Sequence, residues 1–221
     1  MKLPKIKICG LTRTEEAGFL NESKADYAGF VFYEKSKRSV TMAQAENIRK
    51  ELSPEIRQVA VVVSPERSLC QELEQAGFNI LQIHGKMHPE LPEQSRIPIW
   101  RACNLKNIRE LERLEHHENI IGYVADAGQA GGGIPFDWQN CRNGREWKER
   151  YFHGKTFVLA GGLSCRNVGE GIRRFHPDVA DVSSGVESSF RRSSDNQEIR
   201  RKDRKLIFDF IKEVRGQEYG T

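Results

Sequence analysis

The chain has 221 residues, 38% of them hydrophobic, and its 19 glycines bring the apolar share to about 47%, which is ordinary for a folded globular chain and too high for intrinsic disorder. Lys and Arg number 35 against 31 Asp and Glu, a formal charge of +4 with the two signs interspersed, so charge alone names no polyanionic partner. No apolar run approaches the roughly 20 residues of a spanning helix, and MKLPKIKICG has lysines but no apolar core to make a signal peptide. A cytoplasmic protein without membrane contact is expected.

Eight short runs rich in β-branched residues follow in chain order: Lys5–Cys9, Tyr27–Phe32, Gln58–Val63, Ile80–Ile83, Pro98–Ala102, Ile120–Ala125, Thr156–Ala160 and Val179–Val182. Helical periodicity lies between them. Met42, Ala45, Ile48 and Leu52 mark Val40–Leu52, and Leu69, Leu73 and Ala76 mark Ser68–Ala76. Leu105, Ile108, Leu111 and Leu114 mark Leu105–Leu114; Leu206, Ile207, Phe210, Ile211 and Val214 mark Lys202–Val214. Thr41 and Ser64-Pro65 are expected to cap helix starts. Continuous apolar strands alternating with amphipathic helices predict a parallel sheet covered on both faces. Eight units in this length predict a (β/α)8 TIM barrel, an α/β fold, as one domain over 1–221. A doubly wound open sheet is the rival, but it would normally show a glycine-rich fingerprint after its first strand, where this chain has Cys9-Gly10-Leu11-Thr12.

Five cysteines (Cys9, Cys70, Cys103, Cys141, Cys165) form an odd set without C-x-x-C spacing. They read as reduced thiols rather than a disulfide framework or a zinc knuckle. Histidines do not pair with carboxylates at ligand spacing, so no metal site is predicted. The basic stretch Phe190–Lys205 reads as a solvated loop and helix start; it lacks the aromatics of an RNA-binding signature, and no nucleic-acid partner is expected.

Barrel enzymes place reactive groups where strands end and helices have not begun. At those junctions stand Cys9 after the first strand, Arg38 after the second, His84-Gly85 after the fourth and Asp126 after the sixth. Gly161-Gly162 follows the seventh strand and Ser184-Gly185 the eighth. Paired glycine loops let backbone amides approach an anion, and these two positions are where barrels commonly hold phosphate. A phosphorylated ligand is expected. Cys9 and Asp126 end strands on opposite sides of the ring, a placement suited to a general base and a general acid flanking a small substrate. Alone, the cysteine is more often an inert small hydrophobe, and the aspartate reads equally as a structural hydrogen-bond acceptor. Arg38 can clamp a carboxylate through its fork or stand solvated. His84 can contact a ligand or hydrogen-bond at the rim.

These segments resemble the phosphoribosylanthranilate isomerase family. The likeness runs through Lys7-Ile8-Cys9-Gly10-Leu11-Thr12, Gly29-Phe30-Val31-Phe32, Ser36-Lys37-Arg38 and Leu81-Gln82-Ile83-His84-Gly85. It continues through Val124-Ala125-Asp126, Phe136-Asp137-Trp138, Leu159-Ala160-Gly161-Gly162-Leu163 and Asp181-Val182-Ser183-Ser184-Gly185-Val186-Glu187. The resemblance implies an Amadori rearrangement of N-(5-phosphoribosyl)anthranilate in tryptophan biosynthesis. It makes Asp126 the general acid, Cys9 the general base and Arg38 the holder of the anthranilate carboxylate. It puts the phosphate on amides around Gly161, Gly162, Ser184 and Gly185; His84 is expected at the substrate. It implies a small phosphosugar substrate, no cofactor and no obligate protein partner.

Three segments depart from the family pattern. Ala130-Gly131-Gly132-Gly133-Ile134-Pro135 lacks the hydroxyl and the following basic or amide residue. Gln139–Tyr151 is unusually polar, and 188–201 is a long arginine-rich insertion expected to be flexible. The runners-up are another phosphosugar isomerase or epimerase, and a barrel that binds a phosphorylated metabolite without turnover. Cys9 in place of an aspartate argues against a dual-substrate histidine/tryptophan isomerase, and the missing ligands argue against a metal-dependent epimerase.

Overall fold

In a computed structural model the described residues are 3–104, 116–126, 144–191 and 198–216. Eight strands close a parallel barrel in sequence order: β1 (Lys5–Cys9), β2 (Tyr27–Phe32), β3 (Arg57–Val63), β4 (Ile80–His84), β5 (Ile99–Asn104), β6 (Ile120–Asp126), β7 (Thr156–Ala160) and β8 (Val179–Val182). Closure comes from β8 pairing with β1, with Asp181 opposite Lys7. The expected barrel is the one observed, and the open-sheet rival falls with that pairing.

The runs are apolar without a break because both faces of each strand are covered. Side chains alternate between the faces. Tyr27, Val59, Val61, Ile80, Trp100, Val124, Val158 and Val179 fill the interior of the barrel. Their neighbours Ile6, Ile8, Ala28, Phe30, Ala60, Val62, Leu81, Ile83, Phe157 and Leu159 face the helices. Seven helices are described: α1 (Thr14–Ser23), α2 (Met42–Lys50), α3 (Arg67–Gln75), α4 (Leu91–Gln94), α5 (Gly144–Phe152), α6 (Val168–Phe175) and α7 (Arg204–Gly216). Leu105–Leu114 lies outside the described residues.

Local chemistry sets the helix starts. Thr41 caps α2 as expected, accepting a hydrogen bond from Gln44 N at 3.2 Å while Gln44 returns one to Thr41 N at 2.9 Å. Ser64 does not cap α3. It adopts a left-handed backbone (φ 46°) and its hydroxyl accepts from Lys86 N at 2.9 Å, so the helix begins two residues beyond Pro65. Glu16, fully buried, starts α1 by accepting from Thr12 N at 2.7 Å and Arg13 N at 3.2 Å.

Of the arginine-rich insertion 188–201, expected to be flexible, residues 192–197 lie outside the described residues. Its described part is an antiparallel ribbon, β9 (Glu187–Arg191) against β10 (Glu198–Lys202), with Glu187 opposite Lys202 and Phe190 opposite Ile199. Polar composition suggested disorder, but the ribbon is closed at its base by a buried ion pair, Lys202 Nζ to Glu187 Oε1 at 2.6 Å. Diagonally across the ribbon the Arg201 guanidinium covers the Phe190 ring at 4.6 Å.

Candidate active site

Cys9 is the last residue of β1, partly exposed where the strand opens onto the mouth. Gly10 turns the chain at φ 83°, and a Cβ there would stand 2.6 Å from Arg38 Cδ, so only glycine fits the turn beneath that side chain. Gly29 on β2 is opposite Cys9, and a Cβ there would lie 2.8 Å from the sulfur. Glycine on the neighbouring strand therefore makes the room the thiol occupies. From the loop after β8, Ser183 Oγ donates to the Cys9 carbonyl at 2.9 Å and fixes the strand end. Lys7 and Lys202 both favour the thiolate by their charge. Burial outweighs them, and the thiol is pushed above its usual range, with Asp181 adding to the rise.

Arg38 is neither solvated nor open-handed. Its Nε and Nη2 donate to the two carboxylate oxygens of Glu187 at 2.6 and 2.7 Å, and Glu187 also accepts from Lys202 Nζ. The fork is held in a planar, charge-assisted pair that keeps Arg38 charged. Although burial opposes it, the pull of Arg38 and Lys202 holds the Glu187 carboxyl below the usual carboxylate range. Lys202 also donates to Ser183 O at 3.1 Å and Ser183 Oγ at 3.3 Å, which links the base of the ribbon to the loop after β8 and onward to Cys9.

His84 ends β4 and lies 2.8 Å from Gln82 Nε2 through its Nε2. Burial, then the charges of Lys7 and Arg101, lower its pKa to about 4, so the imidazole is neutral at physiological pH. Asp126 ends β6, level with Asn104 on β5 and Ala160 on β7. The altered loop 130–135 that follows lies outside the described residues. Because every barrel strand runs the same way, Cys9, His84 and Asp126 all end at one mouth.

Gly161 and Gly162 follow β7 at φ 86° and 68°, a left-handed pair that side chains disfavour. Asn167 secures the turn, donating to Gly162 O at 2.9 Å and accepting from Ser164 N at 2.8 Å. Ser184 and Gly185 form a single 3-10 turn after β8. A Cβ on Gly185 would fall 1.9 Å from Leu163 O, so the two glycine loops touch backbone to backbone.

Four residues of the site were not singled out from the sequence: Lys7, Asp181, Glu187 and Lys202. The first three stand inside the quoted motifs, but a charge in a strand interior or after a helical turn carries no sign of its partner. Cys70 and Cys165 are free thiols, Cys103 donates to Val124 O at 3.6 Å, and Cys141 lies outside the described residues. No helix among the described residues is long and apolar enough to cross a membrane.

A sequence profile described as N-(5'-phosphoribosyl)anthranilate (PRA) isomerase matches residues 6–201. The N-(5'-phosphoribosyl)anthranilate isomerase of Acetivibrio thermocellus is 34% identical, with 98% of each chain covered. The crystal structure of the phosphoribosylanthranilate isomerase of Thermotoga maritima superposes with a TM-score of 0.80 at 33% identity, over 97% of this chain and 100% of that one. A phosphoribosylanthranilate isomerase solved in complex with reduced 1-(o-carboxyphenylamino)-1-deoxyribulose 5-phosphate superposes at 0.76 with 32% identity, covering 97% of this chain and 100% of that one. The chain belongs to the N-(5'-phosphoribosyl)anthranilate isomerase family of tryptophan biosynthesis.

Proposed function

We propose that this barrel converts N-(5-phosphoribosyl)anthranilate into 1-(2-carboxyphenylamino)-1-deoxyribulose 5-phosphate by general acid–base catalysis. Asp126, as the carboxylic acid, protonates the ribose ring oxygen; the C1–O bond breaks and the anthranilate nitrogen lone pair forms the C1=N iminium. Cys9, as the thiolate, takes the C2 proton, and the released pair forms C1=C2 and neutralises the iminium to an enolamine. Loss of the C2 hydroxyl proton and protonation at C1 then give the ketone. The net change only redistributes protons and electron pairs within the substrate, so the reading calls for no cofactor.

The observation that carries this reading is the joint placement of Cys9 and Asp126 at the ends of β1 and β6 in one closed parallel barrel. Support for the ligand comes from the relative that holds a reduced product analogue. The paired loops at Gly161-Gly162 and Ser184-Gly185 suit the phosphate, since glycine backbones admit an anion closely. Neutral His84 suits a hydrogen bond to the sugar. Arg38 would meet the anthranilate carboxylate on the edge that Glu187 leaves open, and Glu187 sets the plane of the fork. A phosphosugar is the only partner in this reading.

The test is fluorescence loss of phosphoribosylanthranilate generated in situ by a transferase. Cys9→Ser and Asp126→Ala should each lower turnover by about 100-fold or more while product affinity stays within about tenfold, the signature of lost proton transfer rather than lost binding. Near-normal rates in both variants would sink the acid–base assignment. Because burial raises the Cys9 thiol, kcat/KM of the parent should climb with pH on its alkaline side as the thiolate forms.

A further inference from the structure

Beneath the mouth the barrel interior is not wholly apolar. Lys7 on β1 and Asp181 on β8 are buried, at 0% and 7% exposure, in a space where barrels usually pack branched apolar side chains. Strand register sets them opposite one another, and Lys7 Nζ donates to Asp181 Oδ2 at 2.7 Å. Asp181 Oδ1 is buried without a hydrogen bond, as are Gln82 Oε1 and Trp100 Nε1 on β4 and β5. A buried ion pair left partly unsatisfied is a poor stabiliser compared with apolar filling. Its position supplies the reason for it. Lys7 stands two residues before Cys9, so both side chains leave the same face of β1, and the ammonium paired with the carboxylate also acts by its charge on the thiol.

We propose that Lys7 is a positioning residue for the isomerisation, the counter-ion on which the Cys9 thiolate rests, and that Asp181 keeps that ammonium in place and charged while Cys9 is a thiol. The inference rests on the reading of Cys9 as the base. Lys7 never gives up its proton. The ammonium has three N–H groups; one is committed to Asp181, and the others can turn to the sulfur when its proton departs. The groups facing Cys9 oppose one another: Lys7 from β1, Lys202 from β10 and Arg38 from the loop after β2 favour the thiolate, while Asp181 from β8 disfavours it. Neutral His84 takes no side.

That opposition yields a test by sign. Asp181→Asn keeps an acceptor for Lys7 but removes the competing charge, so the Cys9 titration should fall by about one pH unit. Lys7→Met/Asp181→Asn removes both charges without stranding a buried carboxylate, and should raise the titration by about one unit above that of Asp181→Asn. The midpoint is read from ultraviolet thiolate absorbance against a Cys9→Ser control, and from iodoacetamide alkylation mapped to the Cys9 peptide. At fixed pH below the midpoint, alkylation should quicken about tenfold in the first variant and slow about tenfold from there in the second. The rising limb of kcat/KM should move with each midpoint.

Midpoints that stay put, or that move the same way in both folded variants, would show the pair to be structural and overturn the role of Lys7. Midpoints that move as expected beneath an unmoved kcat/KM limb would instead overturn Cys9 as the base, and Lys7's part in the reaction with it.

Discussion

The mouth of this barrel sets the charge of its titratable residues through what is buried beside them, and His84 shows the consequence for stability. Its folded pKa is lowered to about 4 against an ordinary 6.5. Between those values the unfolded chain binds a proton that the folded chain refuses, so stability present above pH 6.5 is lost as pH falls toward 4. At 1.36 kcal/mol per unit the loss is about 3 kcal/mol. Urea unfolding at pH 7 and pH 4.5 should show it, and His84→Asn should flatten that part of the slope; an unchanged slope would mean that the imidazole is not shielded. From sequence the residue was legible only as a histidine at a strand end. Its neutrality depends on Lys7 from β1 and Arg101 from β5, which are 77 residues before it and 17 after it along the chain. Cys9 carries the same lesson: its position was readable, but the direction of its shift depended on how far burial outweighs two lysines.

At the scale of elements, the eight strands were legible because each is buried on both faces and so reads as an unbroken apolar run. The ribbon was not. Ser188-Ser189-Phe190-Arg191 and Ile199-Arg200-Arg201 look solvated, and their pairing is decided by Glu187 and Lys202 meeting at the base. α1 was also missed, since its buried cap residue is a glutamate that composition assigns to the surface. The two kinds of ion pair on the ribbon should therefore behave differently. Lys202→Met removes a fully buried ammonium that serves Glu187 and both oxygens of Ser183, and should cost about 3 kcal/mol in urea unfolding. Arg200→Ala removes only the exposed contact to Glu198 at 3.7 Å, and should change stability by less than about 0.5 kcal/mol. Equal effects would mean that the ribbon is not anchored through its base.

For the whole molecule, a net charge of +4 spread evenly along the chain suggested no electrostatic character. The closed topology changes that. Lys37 and Arg38 from the loop after β2 converge with Arg200, Arg201 and Lys202 of the ribbon around a cleft of about 190 Å³ beside Gly10, lined among the described residues by two acids, Glu16 and Glu187. Both acids are already committed, Glu16 to the amides of Thr12, Arg13 and Lys202, and Glu187 to Arg38 and Lys202. The rim therefore presents a surplus of positive charge to an approaching phosphosugar that also bears a carboxylate. Such a field raises the encounter rate and is screened over about 8 Å at physiological ionic strength. Under the proposed reaction, kcat/KM should fall by roughly threefold to tenfold between low and moderate salt while kcat holds nearly constant, because steering acts on encounter rather than on proton transfer. Arg200→Gln/Arg201→Gln leaves the buried Lys202–Glu187–Arg38 network intact and should shrink that salt dependence. A double variant with the parent's slope would confine the steering field to the loop after β2 and leave the ribbon with a purely structural part.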